Sequence, residues 1–130
     1  FLNHGIAMRG SDKPWRGPSF SAAYVFPDGE LVPLHETLRA AEQAGFEVRD
    51  VESLREHYML TLRHWVAHLE AHHDEALRYV SEPTWRVWRL YMAGSAEGFA
   101  SGRNTVYQAL LLKPTGEPSG LPLTRADWYA

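Results

Sequence analysis

Between Asp50 and Val80 the sequence reads DVESLREHYMLTLRHWVAHLEAHHDEALRYV, the pattern of a long helix entered from a short strand. From Leu54 onward, apolar side chains recur at Tyr58, Leu62, Trp65, Val66, Leu69, Ala76, Leu77 and Val80, three and four residues apart along one helical face. A helix with such a stripe must be covered, so the flanking segments have to supply the surface. Tyr58 falls on the covered side. His57, His64 and His68 fall together on a flank that faces water, at roughly 100° per residue.

The preceding segments read as sheet. Phe1 to Ala7 is a short apolar run broken by Asn3 and His4, a buried strand whose end carries polar groups, and strand ends are where ligands sit in α/β sheets. Met8 to Ser21 is rich in Gly, Pro, Ser and charge and reads as a solvated loop, with Arg9, Lys13 and Arg16 as an alternative contact for anionic groups. In YVFPDGELVPLHETLRAAEQAGFEV, Pro27, Asp28 and Gly29 make a turn and Pro33 opens a helix with an apolar edge of Leu34, Leu38 and Ala41. Gly45 closes it, and Phe46 to Val51 follows as a strand. Strand or turn, helix and strand form an α/β crossover with a parallel neighbour implied.

After the central helix, Ser81 caps a second one with Glu82 and Pro83 in its first turn. Trp85, Trp88, Tyr91, Met92, Ser95 and Phe99 lie along one side of it, while Gly94 and Gly98 suggest a close approach to another element. Asn104 to Lys113 reads as a last, largely buried strand. PTGEPSGLP is a loop, and LTRADWYA is an aromatic tail able to dock.

The chain has 130 residues, enough for one ordinary domain, and its hydrophobic content of 45% argues against wholesale disorder. A formal charge of -3 gives no global attraction to nucleic acid. The absence of cysteine removes disulfides, thiolate metal sites and a Cys nucleophile from these residues, which is compatible with a cytoplasmic setting. No run approaches the roughly 20 apolar residues that span a bilayer, so any membrane contact is expected to be peripheral. The opening FLNHGIA lies within an apolar strand pattern, and the expectation is that the chain is the later part of something longer.

No G-x-G-x-x-G, P-loop, H-E-x-x-H or G-x-S-x-G motif occurs. His64, His68 and His72 are four apart, a spacing at which two imidazoles can share zinc, but no carboxylate or thiolate is clearly placed to complete a site, and no metal is expected. His4, where a strand gives way to a loop, and Tyr58, in the first turn of the central helix, could face one cleft above the sheet. There a phenol and an imidazole can hold a small anion or a proton in transit.

YVFPDGEL at 24–31, AGFEVRDVESLREHYMLTLRHW at 44–65, RLYMAGSAEGF at 89–99 and the strand VYQALLLKP resemble the C-terminal part of the cyclopropane-fatty-acyl-phospholipid synthase family. The tail LPLTRADWY is similar to that of actinobacterial members, including those that make methyl-branched fatty acids. The resemblance implies an α/β fold, the C-terminal portion of a Rossmann-like class I methyltransferase sheet with long covering helices, over residues 1–130. In such a sheet of seven strands the last is antiparallel and inserted between its neighbours. Phe1 to Ala7 would be the fifth strand, Phe46 to Val51 the sixth and Asn104 to Lys113 the seventh.

The activity implied is S-adenosylmethionine-dependent methyl transfer to the double bond of an unsaturated phospholipid acyl chain, giving a cyclopropane or a branched chain. Family members hold bicarbonate as the base, through a His in an H-T-I-G-like segment, the backbone of the Ile two residues on and a Tyr before a T-L pair. The matching positions are His4, Ile6 and Tyr58, with HGIA here in place of HTIG. The remaining bicarbonate ligands, a Cys and a Glu, and the Gly-rich cofactor loop would fall upstream of residue 1, so the segment alone is not expected to bind the cofactor properly or turn over. The partners implied are acyl chains, the membrane surface and the missing N-terminal part, with a homo-oligomer left open. The rival readings are a non-catalytic interaction or regulatory fragment with an open sheet edge, and a His-rich metal-binding module.

Overall fold

The computed structural model describes residues 2–8 and 19–128, with backbone alone for residues 2–6, 8 and 127. Phe1 and the basic loop residues Arg9, Lys13 and Arg16 lie outside the described residues. Three strands form one sheet: β1 (Leu2–Met8), β2 (Glu47–Ser53) and β3 (Asn104–Leu112), in the order β1-β3-β2. β3 is antiparallel to both neighbours. β1 and β2 therefore run in the same direction, as the crossover requires, but with the last strand between them, the insertion the family resemblance implies. Ile6 pairs with Val106 and His4 with Gln108 on one side, while Glu52 pairs with Gln108 and Asp50 with Leu110 on the other. A register shift between Val48 and Asp50 marks an irregularity in β2.

Helix α1 (Phe20–Tyr24) is capped by Ser19, whose Oγ accepts from the Ala22 amide at 3.1 Å. Phe20 and Ser21 are thus helical, where composition suggests loop; a side-chain cap outweighs local polarity. The turn at Pro27–Gly29 forms as expected, closed by the Gly29 amide donating to Phe26 O at 3.1 Å. Helix α2 (Leu34–Gln43) follows Pro33, and Gly45 takes φ +82°, the left-handed conformation that ends it. Lys113, just beyond β3, donates from Nζ to Ala44 O at 2.5 Å and lies 5.0 Å from the Phe46 ring centroid. A cation is thereby set against the carbonyl end of α2, where the helix dipole favours it.

The long pattern from Asp50 to Val80 divides into α3 (Arg55–Ala71) and a single turn, α4 (His73–Ala76). At the break, His72 donates to His68 O twice, from its backbone amide at 3.1 Å and from Nδ1 at 2.9 Å. Apolar spacing continues through this point, so periodicity alone does not reveal it. Helix α5 (Glu82–Ala100) starts at Ser81, whose Oγ accepts from the Thr84 amide, with Pro83 in the first turn.

The core lies where α3 and α5 cross β3. Leu62, Ala96, Phe99 and Val106 are buried together, with Leu54, Tyr58, Met59 and Met92 packed around them. Beyond Leu62, α3 faces α5 across a groove lined by Arg63, Val66, Ala67, Glu70, Ala93 and Glu97. The apolar stripe is consequently half-covered there. Trp65, at 53% exposure, and Leu77 and Val80 near the tip of the helical pair are exposed, contrary to the reading of the stripe as buried throughout. The tail does dock: Arg125 pairs with Asp50, whose side chain is only 8% exposed, and residues Ala126–Trp128 form a short 3-10 turn.

The two glycines of α5 differ. A Cβ on Gly98 would meet Asn104 Nδ2 at 3.0 Å, whereas one on Gly94 would meet nothing within 4 Å. The close approach expected of both holds at Gly98 only. Gly94→Ala should raise unfolding free energy by about 0.5–1 kcal/mol, the usual gain of Ala over Gly inside a helix. Gly98→Ala should forfeit that gain by displacing the Asn104 carboxamide. Denaturant unfolding of the two variants side by side measures the difference, and equal gains would contradict this packing.

Candidate functional site

Tyr58 is set in place by two successive backbone hydrogen bonds. The Leu54 amide donates to Val106 O at 2.8 Å, carrying the ladder one step past β2, and the Tyr58 amide donates to Leu54 O at 2.9 Å to start α3. The first turn of α3 therefore stands directly over β3 at Val106. Tyr58 is half-buried against the cluster containing Val106, its ring centroid 6.0 Å from that of Phe99.

Val106 is in turn the strand partner of Ile6. Ile6 in β1 and Tyr58 at the start of α3 thus meet β3 at the same level of the sheet, and His4 stands two residues further along β1, opposite Gln108. The backbone positions of His4 and Ile6 are within the described structure; their side chains are outside it. Side chains alternate between the faces of a strand, which puts Val106 and Gln108 on the face covered by α3 and α5. Glu52, paired with Gln108 from β2, belongs to the same row. Gln108 and Glu52 are both half-buried, and sequence reading alone missed them. The available signal was one amide inside the run VYQALLL.

The histidine flank is exposed. The His68 and His72 rings stack with centroids 4.1 Å apart, while His72 Nδ1 is committed to His68 O. Among the described residues, no three His, Cys, Asp or Glu side chains are grouped to hold a metal ion.

The outlying His73 is a different case. Its Nε2 meets Glu82 Oε2 at 2.9 Å, its Nδ1 meets Asp74 Oδ1 at 3.1 Å, and Trp85 lies edge-on with centroids 4.6 Å apart. The hydrogen bond to Glu82, then that to Asp74, raises the His73 pKa. Glu82 is lowered, first by Arg86 and then by His73. The pair ties α4 to the start of α5, roughly 22 Å along the helical axis from Tyr58.

The family model for Mycolic acid cyclopropane synthetase matches residues 1–109. The chain belongs to this family. It is 45% identical over 132 aligned positions to a protein from Pseudomonas putida named "Probable fatty acid methyltransferase", covering 98% of this chain and 34% of the relative. It is 36% identical to "Cyclopropane mycolic acid synthase 3" of Mycobacterium tuberculosis over 72% of this chain and 33% of that protein. Among solved structures, mycolic acid cyclopropane synthase CmaA1, complexed with SAH and CTAB, superposes with a TM-score of 0.74 at 29% identity, over 85% of this chain and 42% of that one.

The chain spans about a third of the length of the curated relatives it matches. Its fold is the C-terminal portion of a class I methyltransferase domain, and the family is one of S-adenosylmethionine-dependent methyltransferases. Among the described residues, no helix is long and apolar enough to cross a membrane.

The His73 contact generates a pH prediction. Its folded pKa lies above the unfolded value of about 6.5, so its stabilisation is complete below that pH and is lost as pH rises through the folded value. Glu82, with its lowered pKa, keeps its charge until the solution falls below the ordinary carboxylate range. The melting temperature of the native chain should exceed that of His73→Ala most at and just below the ordinary histidine pKa of about 6.5, with the gap closing as pH rises above it. A gap independent of pH would show that the imidazole acts there only by packing against Trp85.

Proposed function

We propose that the chain is the later part of an enzyme that methylates the double bond of an unsaturated phospholipid acyl chain, giving a cyclopropane or a methylene-branched product. The observation that carries this reading is the register linking Ile6, Val106 and Tyr58, which supports one anion site between β1 and the first turn of α3. Family membership and the names of the relatives support the reaction class.

The described residues contain no glycine-rich strand-to-helix turn of the kind that cradles S-adenosylmethionine. They do not fit that cofactor, and its binding is assigned to the portion of the relatives that this chain does not span. The donor set at His4, Ile6 and Tyr58 does fit a small oxyanion such as bicarbonate: a phenol and a backbone N–H donate, and an imidazole can donate or accept. When bound there, bicarbonate supplies a base beside the reacting carbon.

The residues have two tasks. Methylation of an alkene leaves a cation on the chain, and ring closure requires a proton to depart from the carbon just transferred. Tyr58, fixed by the backbone bonds to Leu54, orients the base with its hydroxyl; His4 and the Ile6 amide complete the cradle. The packing of Tyr58 against Phe99 and Val106 limits the water that could quench the cation. The acyl chain would run along the half-covered stripe of α3 and α5, and the contact with its membrane would be peripheral.

The test is Tyr58→Phe in a polypeptide spanning the full length of the relatives, assayed with labelled S-adenosylmethionine and unsaturated phospholipid vesicles. Turnover should fall roughly 100- to 1,000-fold, as for the loss of one donor to a reaction-site anion. Cofactor affinity should stay within about twofold, because Tyr58 is assigned no contact with it. An unchanged rate would remove Tyr58 from the site.

A further inference from the structure

Both ring nitrogens of His73 face carboxylates: Nε2 meets Glu82 Oε2 at 2.9 Å and Nδ1 meets Asp74 Oδ1 at 3.1 Å. A carboxylate accepts hydrogen bonds and donates none, while a neutral imidazole has one N–H and one bare nitrogen. The two contacts therefore exist together only when the ring carries both protons. Glu82 is held in this position from its other side, where Oε1 accepts from Arg86 Nε at 2.7 Å. Trp85 lies edge-on to the ring and donates from Nε1 to Leu69 O at 3.4 Å, which sets the contact against the last turns of α3. Among the described residues, the charged groups acting on the ring are Asp74 of α4 and Glu82 of α5, with Arg86 behind Glu82; α3 sets none against it.

His73 and Glu82 are also the two ends of a loop that carries the tip of the helical pair. Within it the Ala76 amide donates to His72 O, Leu77 to His73 O, Arg78 to Glu75 O, and Tyr79 and Val80 to Ala76 O, so these bonds all close on residues 72–76. Leu77, Tyr79 and Val80 are exposed, which leaves the loop little buried surface of its own. Segments of this kind open locally at low cost. We propose that residues 73–82 are a proton-operated latch, closed while the His73 imidazolium joins Asp74 and Glu82 and loosened when the ring gives up one proton. The neutral ring keeps a donor for one carboxylate and turns a lone pair on the other, so two charge-assisted bonds become one ordinary bond beside a repulsion. The direction of ionisation agrees: the bonds to Glu82, then Asp74, raise the folded His73 pKa, so the latch is closed below about pH 6.5 and loosens as pH rises through the folded value.

The experiment measures hydrogen exchange of the amides of residues 77–80 in the full-length polypeptide, corrected for the intrinsic exchange rate at each pH. The titration of His73 is followed alongside it through nitrogen-15-labelled histidine. Native protection should fall roughly two- to fivefold across that titration, the scale of an exposed ion pair. His73→Gln keeps a donor for Glu82 but cannot titrate, and its protection should be low and independent of pH. Asp74→Asn is the sharper variant, because Asp74 is fully exposed and its replacement leaves the packing alone. The Asn amide can donate to a bare Nδ1, so one ring proton then satisfies both contacts. Protection in Asp74→Asn should accordingly persist above the His73 midpoint.

Protection that stays constant while His73 titrates would overturn the proposal. So would an Asp74→Asn protein that loosens at the His73 midpoint as the native one does, since the second carboxylate would then play no part. A contact that served only as packing would show the same protection at every pH in the native protein, which is the first of these outcomes.

Discussion

Desolvation at Val106 is the contact on which the rest of this structure depends. The side chain is 1% exposed, beneath Leu62 of α3 and Phe99 of α5, and its carbonyl receives the Leu54 amide that launches α3. One residue thus joins the sheet, both long helices and the first turn carrying Tyr58. Fully burying a side chain of this size is worth about 1.5–3 kcal/mol. Its larger effect is geometric, since a shift of Val106 would move the strand register and the start of α3 together.

From this anchor the two faces of the helical pair take different parts. Close to β3, α3 and α5 pack on the core, and Tyr58 lies half-buried against it. Farther out, the two helices face each other over Ala67 and Ala93, with Arg63, Glu70 and Glu97 along the groove. Arg89 bridges to Glu70 there, and His73 meets Glu82 near the tip. The outer end is therefore held by exposed ion pairs, each of modest worth.

Much of this was legible from residue patterns because the signals were local. The turn at Pro27–Gly29, the cap at Ser81, the left-handed Gly45 and the strand at Asn104–Leu112 all follow from side-chain chemistry within a few residues. The burial of Tyr58 and exposure of His57, His64 and His68 follow from helical geometry. Tertiary coverage was not legible in the same way. Trp65 fits the apolar period but projects beyond the sheet, and no period discloses where the sheet stops. The break at His72 depends on an imidazole returning to the backbone, a contact that apolar spacing does not register. At the proposed site, His4 and Tyr58 are candidates from their places in the strand and helix patterns, and with Ile6 from motif likeness, whereas the row of Gln108 and Glu52 is visible only in the strand pairing.

The strand that lies in the middle of this sheet is the last to be synthesised. β1 and β2 share no hydrogen bond, and with β3 between them they stand about 9.6 Å apart, twice the usual strand spacing. Until residues 104–112 leave the ribosome, neither has its partner in this three-stranded unit, and the loop that must close between β1 and β3 exceeds ninety residues. Assembly of the sheet is therefore a late, long-range event. The helices can form while the chain is still emerging, but the platform beneath Tyr58 is completed in a single closing step.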